Sequence, residues 1–229
     1  MAEAMAFARG TDDPFEIAFA RYFESWLFYI LRDASRALAA AQQGLALSEQ
    51  HGFSLPGAMS QGLLGWAQAQ LGSPGEGVSS LRRSLASHAE NSSRLIITDS
   101  LTRLAEAQVL DGAIEDALST LEDALKADPE ELVYQPNILT RRGELRFKTG
   151  HPELAEADFR EGIDRAQKMK AKALELRAAT GLARMLQARG DCDAARDLLA
   201  PVYGWFTEGL DTADLKDAKA LLDELSVGS

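Results

Sequence analysis

The sequence predicts an all-α chain: a right-handed α-solenoid of about five helical hairpins with a C-terminal capping helix. Three observations predict it. Glycines suited to ending helices recur at Gly72, Gly112, Gly150 and Gly190, which by subtraction are 40, 38 and 40 residues apart. Behind each turn comes a small-then-bulky pair, Gly77/Leu81, Ala117/Leu121, Ala155/Phe159 and Ala195/Leu199. The small member admits a close helix crossing and the bulky one fills the space beside it. Alanine and leucine dominate, which suits strong helix propensity and tight packing.

The elements follow in order. Residues 1–9, MAEAMAFAR, are helical in composition but too short to stand alone. Residues 1–13 therefore read as the remnant of a preceding repeat helix, and the chain as a cut piece. Gly10–Pro14 breaks that segment, with Pro14 suited to the first turn of the next helix. A further 40-residue step back from Gly72 lands on Arg32-Asp33, where the same turn is expected without its glycine, ahead of Ala37/Ala41. Five hairpins result, over residues 14–50, 55–89, 92–129, 135–169 and 170–206. The join between the last two, Gln167–Lys172, holds neither Gly nor Pro, so its turn is inferred from the period. Thr207–Thr212 breaks again, and Ala213–Leu225 forms the last helix. Its polar positions Asp214, Lys216, Asp217, Asp223 and Glu224 suit a solvated cap. The organisation expected is a single solenoid domain, with repeats over 14–210 and a cap over 211–229.

One stretch, Thr98–Pro129, displays the repeat most clearly. Leu101, Leu104, Ala105 and Gln108 share a helical face, Gly112 stops the helix, Ala117 and Leu121 mark the packing face of the next, and Asp128-Pro129 closes the unit. This resembles a tetratricopeptide repeat. The period exceeds the usual value of about 34 residues and touches the HEAT range of about 40–47. A turn glycine at fixed distance before the Ala-x3-Leu/Phe pair favours tetratricopeptide units with lengthened helices.

The C-terminal third carries a second resemblance. Within Ala173–Leu225 the phrases LELRAATGLARML, LLAPVYGWFTEG and TADLKDAKALLDEL, with the earlier GLALSEQHGF (Gly44–Phe53) and RRGELRFKTG (Arg141–Gly150), are similar to the C-terminal repeat region of large bacterial signalling ATPases. Those carry an adenylate/guanylate cyclase-type or winged-helix domain ahead of the ATPase. The resemblance implies a cytoplasmic, bacterial regulatory or sensor region. It also implies that any cyclase or ATPase activity lies in domains not present, so no catalytic residue carries over.

Composition points the same way. A formal charge of −11 argues against general nucleic-acid binding and against an anionic membrane surface. The most apolar run, Phe15–Leu31, is interrupted by Glu16, Arg21, Glu24 and Ser25, unlike a membrane span. Residues 1–10 lack the pattern of a signal peptide, and the single cysteine, Cys192, fits a reducing compartment. The glycine-rich stretch Gly72–Ser80 has no lysine for a phosphate loop and reads as a turn within a hairpin. His51, His88 and His151 fall in different hairpins without a second ligand at helical spacing. Cys192 begins a helix but has no histidine near it in sequence, so a packing role is expected. No catalytic constellation, metal site or cofactor is predicted.

What remains is a surface. The first helix of each tetratricopeptide hairpin lines the concave side. That register turns Asp99, Thr102, Arg103, Glu106 and Val109 inward in the third hairpin. It does the same for Asn137, Thr140, Arg141, Glu144 and Phe147 in the fourth, with Lys148 beside them, and for Arg177, Thr180 and Arg184 in the fifth. Arginines along one face of an acidic chain suit an acidic protein or peptide partner. The alternative is mutual neutralisation, Arg103 with Glu106 and Arg141 with Glu144. In the N-terminal half Phe19, Tyr22, Phe23, Trp26 and Tyr29, extended by Trp66, form an aromatic face. It is either hairpin core or an apolar pocket for a small-molecule effector, and if left exposed it is a homodimer face. The function expected is a non-catalytic protein- or peptide-binding scaffold.

Overall fold

The structure, a computed structural model, describes residues 10, 12–90, 97–127 and 132–227. Residues 1–9 and the Asp128-Pro129 closure singled out above lie outside the described residues. Among those described, eleven helices and no strands are present. They fall into two compact units, Met1–Ala127 and Asp128–Ser229.

Unit 1 contains α1 (Pro14–Ile30), α2 (Ala34–His51), α3 (Ser54–Gln70), α4 (Pro74–Glu90), α5 (Ile97–Leu110) and α6 (Ile114–Ala127). Consecutive helices pack as hairpins, and the first helices also meet one another, α1 against α3 and α3 against α5. Local chemistry starts them. Asp13 accepts the Phe15 N–H at 2.8 Å ahead of Pro14, and Asp33 accepts the Arg36 N–H at 3.0 Å. Unit 2 contains α7 (Gln135–Lys148), α8 (Pro152–Lys168), α9 (Lys172–Ala188), α10 (Cys192–Tyr203) and α11 (Ala213–Val227). Here α7 packs on α8 and α9, and α11 covers α9 and α10. No helix among the described residues is long and apolar enough to cross a membrane.

Every helix end described between hairpin partners or between hairpins uses one device. A residue in the left-handed region stands at Arg32, Gly52, Gly72, Gly112, Gly150, Lys170 and Gly190. The next N–H then bonds the carbonyl five residues back, as in Asp33 to Phe28 (2.9 Å), Ser73 to Gln68 (3.0 Å) and Ala171 to Ala166 (2.9 Å). This is the Schellman closure, which satisfies carbonyls that the helix itself leaves open. The glycine-free turns expected at Arg32-Asp33 and within Gln167–Lys172 are therefore present. They are held by non-glycine residues, each at a cost of about 1–2 kcal/mol.

The stretch Gly72–Ser80, expected as a turn within a hairpin, is a turn only at Gly72-Ser73; Pro74 onward is helical, as the Gly77/Leu81 pair requires. Proline suits the first helical position, so its presence starts the helix rather than extending the loop. Gly77 is helical because a side chain there would lie 2.5 Å from the Gly65 carbonyl oxygen and 2.8 Å from Ala69 Cβ. The α3–α4 crossing is thus backbone against backbone.

The small-then-bulky pairs anchor both cores. Ala37, Ala41, Leu81, Ala117, Leu121, Ala155, Ala195 and Leu199 are fully buried, and Phe159 nearly so. In unit 2 the Phe159 ring lies against both Gly143 and Gly181, where a Cβ would approach it to 3.0 and 2.5 Å. The surrounding core gathers Leu176, Leu182, Met185 and Leu199 from α9 and α10 with Leu215, Leu221 and Leu225 from α11.

These crossings make a prediction. Gly77→Ala forces α3 and α4 apart and should destabilise the chain by about 1–3 kcal/mol in thermal or urea unfolding. Gly75→Ala, whose added carbon meets nothing nearer than Asp111 Oδ1 at 3.7 Å, should stay within about 0.5 kcal/mol of the parent.

Candidate functional site

In unit 1 the structure brings together two groups that the sequence kept apart, the aromatic face of α1 and α3 and the inner residues of α5. The Trp66 indole N–H donates to Glu106 Oε2 at 2.7 Å, and the Trp26 indole donates to the Asp99 carboxylate. Arg103, 0% exposed, places Nη2 3.1 Å from Asp99 Oδ2 and 3.2 Å from Ser100 Oγ. Its guanidinium lies 5.6 Å from the Tyr29 ring centroid, and Tyr29 meets Trp66 edge-on at 4.9 Å. Tyr22 and Trp66 are buried, Phe19, Trp26 and Tyr29 are half-buried, and Phe23 is exposed. The inner face of this unit is filled by its own side chains, with one ion pair inside the aromatic packing.

The ionisations follow from that burial. Burial pushes the Asp99 carboxyl above the usual range against the opposing pull of Arg103. Tyr22 is pushed up to about 12, chiefly by burial. His88, also 0% exposed, has neither ring nitrogen hydrogen-bonded, and burial and then the Arg103 charge hold it below its ordinary value. A signal for this burial was present: His88 falls on the helical face of Gly77, Leu81 and Ser84, all of them buried.

Unit 2 distributes its predicted residues differently. Arg141 Nη1 pairs with Glu144 Oε2 at 3.1 Å on its own helix, and Arg177 Nε pairs with Asp214 Oδ2 of α11 at 2.6 Å. Asn137 is half-buried, and its side-chain oxygen is buried without a hydrogen bond. Lys148 on α7 and Arg184 on α9 are exposed, and neither makes an ion pair among the described residues. These two helices pack directly against each other.

Sequence reasoning missed the strongest polar cluster in this unit. Asp158, 3% exposed, accepts from Arg142 Nε and Nη2 at 3.0 and 2.6 Å and from Arg146 Nη1 at 2.8 Å. A signal was present: Arg142 and Arg146 occupy the slots of Leu104 and Gln108, 38 residues earlier by subtraction. Elsewhere, His51 stacks on Phe53 with centroids 5.4 Å apart, and His151 Nδ1 is 3.2 Å from Thr149 Oγ1. Cys192 packs half-buried on the unit 2 core. Among the described residues no group of three or more His, Cys, Asp or Glu is placed to hold a metal ion.

No family model and no curated protein matches this chain. Solved structures do. One is a Rap protein complexed with competence and sporulation factor, 13% identical, covering 94% of this chain and 65% of that one, with a TM-score of 0.67. Another is NprR in complex with its cognate peptide NprX, 14% identical, covering 93% of this chain and 60% of that one, with a TM-score of 0.70. A third is a thermophilic tetratricopeptide repeat protein of Thermus thermophilus, 19% identical, covering 92% of this chain and 99% of that one, with a TM-score of 0.65. The fold is therefore a tetratricopeptide-like α-solenoid, and the chain spans less than two thirds of the Rap and NprR chains it matches.

Two tests follow. Because His88 titrates below its ordinary value when folded, the unfolded chain takes up a proton first, and stability falls as pH drops below about 6.5. His88→Leu should shrink the loss of unfolding midpoint between about pH 7.5 and about pH 5.5, measured by urea denaturation. Asp158→Ala leaves two partly buried guanidiniums without their shared carboxylate and should cost about 2–4 kcal/mol, whereas Glu156→Gln, more exposed, should cost less than about 1 kcal/mol.

Proposed function

We propose that this chain is a non-catalytic scaffold that binds an acidic stretch of a protein or peptide partner on the α7–α9 face of unit 2. The observation that carries the reading is the contrast among the inner cations of that unit. Arg141 and Arg177 are neutralised within the unit, whereas Lys148 and Arg184 are exposed and make no ion pair among the described residues. Exposed cations without internal partners offer their charge to a ligand without breaking an existing pair. An overall charge of −11 repels most acidic partners. Selectivity would then come from a short range of attraction around these two side chains.

Two lines of support come from outside the unit. The fold is shared with Rap and NprR, the former solved with competence and sporulation factor and the latter with a cognate peptide. The C-terminal phrases also resemble the repeat region of bacterial signalling ATPases and cyclases. On that basis we assign the chain to the regulatory arm of such a multidomain protein, in the cytoplasm, where partner binding biases the arm between alternative hairpin packings.

Binding is tested with fluorescently labelled decapeptide pools, acidic, neutral and basic, followed by anisotropy. Acidic peptides should bind in preference. The charge-reversed variant Lys148→Glu/Arg184→Glu should bind them at least about tenfold more weakly, and added salt should weaken the parent's binding. Equal binding of all three pools, or an affinity untouched by the charge reversal, would overturn the reading.

A further inference from the structure

A groove of 410 Å³ opens in unit 1 between α2, α3 and α4, a size within the range of about 300–1,000 Å³ typical of small-molecule sites. It is far in sequence from the cations discussed above and does not depend on the reading they support. Helix α3 packs against both α2 and α4 and forms the floor. The side chains that line it carry opposite charges on different helices. Glu49 comes from α2 and Arg83 from α4.

These two charges do not satisfy each other. Glu49 is exposed and makes no ion pair or hydrogen bond among the described residues. Arg83 is exposed too, and among the described residues its guanidinium donates only to Ser80 Oγ, at 3.2 Å. The Gln61 side chain also lines the groove, from α3, and its nitrogen is shielded from solvent and has no acceptor among the described residues. A shielded donor without a partner is disfavoured and is the kind of group that a ligand oxygen would satisfy. Apolar surface completes the groove at Leu45 and Phe53.

We propose that this groove binds a small zwitterion of the α-amino-acid class. Its ammonium would pair with Glu49, its carboxylate with Arg83 and the Gln61 amide, and its side chain would rest against Leu45 and Phe53. A purely anionic ligand would meet the Glu49 carboxylate, and a purely cationic one the Arg83 guanidinium. Only a ligand carrying both charges uses every uncompensated group that the groove presents.

The test uses the full chain and isothermal titration calorimetry with the standard L-α-amino acids, each beside its deaminated acid and its decarboxylated amine. At least one amino acid should bind saturably, and both of its single-charge analogues at least about tenfold more weakly. Glu49→Gln and Arg83→Gln should each lower that affinity at least about tenfold, while Arg82→Gln, whose side chain does not line the groove, should leave it unchanged. All three sites are exposed, so circular dichroism should show the parent's helix content in each variant. The proposal fails if no amino acid binds up to about 10 mM. It also fails if an acid-only or amine-only analogue binds as well as the zwitterion, or if neither Glu49→Gln nor Arg83→Gln alters binding.

Discussion

The way seven of the described helices are closed governs much else in this protein. A left-handed residue followed by an N–H bonded five residues back appears at Arg32, Gly52, Gly72, Gly112, Gly150, Lys170 and Gly190. Most of these positions are 20 residues apart, as 52 − 32, 72 − 52, 170 − 150 and 190 − 170 show. The helices between closures 20 residues apart are 17 or 18 residues long. That spacing keeps their small-then-bulky pairs opposite the preceding helix. A shift of one residue would turn the small position by roughly 100° and put a side chain where backbone now approaches backbone.

Each unit then resolves a different electrostatic problem. In unit 1 a fully buried arginine and a buried aspartate are held among Trp26, Tyr29 and Trp66, with Glu106 tied to the Trp66 indole. Such a pair contributes less to net stability than to specificity, because desolvation offsets most of its attraction and loss of either partner is severe. In unit 2 the slots of Leu104 and Gln108 turn basic instead: Arg142 and Arg146 converge on Asp158 across the α7–α8 interface. That cluster replaces apolar contacts inside a hairpin, while the inner face of the same helix keeps Lys148 exposed.

These two solutions separate the candidate surfaces. The inner face of unit 1 is packed by its own aromatics, and the groove open to a ligand there lies between α2, α3 and α4, walled by Glu49 and Arg83. In unit 2 Lys148 on α7 and Arg184 on α9 are exposed and make no ion pair among the described residues. The two proposed ligands, a small zwitterion and an acidic polypeptide segment, would therefore be read by different groups on different helices.

The amino-acid sequence by itself determined the all-α class, the hairpin spacing and the buried pairs from Ala37/Ala41 to Ala195/Leu199, because these follow from local propensity and periodicity. It also determined the turns at Arg32 and Lys170, through spacing alone. It placed Gly77 as the small half of the Gly77/Leu81 pair, and the crossing with Gly65 shows why no side chain fits there. Tertiary structure decided how deeply each predicted arginine is buried and which of them stay exposed. Arg103, Arg141 and Arg184 occupy similar inner positions, yet one is buried on Asp99, one is paired with Glu144 and one is exposed. The reason is that burial depends on neighbours dozens of residues away, as Tyr29 beside Arg103 shows, whereas helix period, helix closure and pairs within one helix such as Arg141 with Glu144 are written within a few residues of each position.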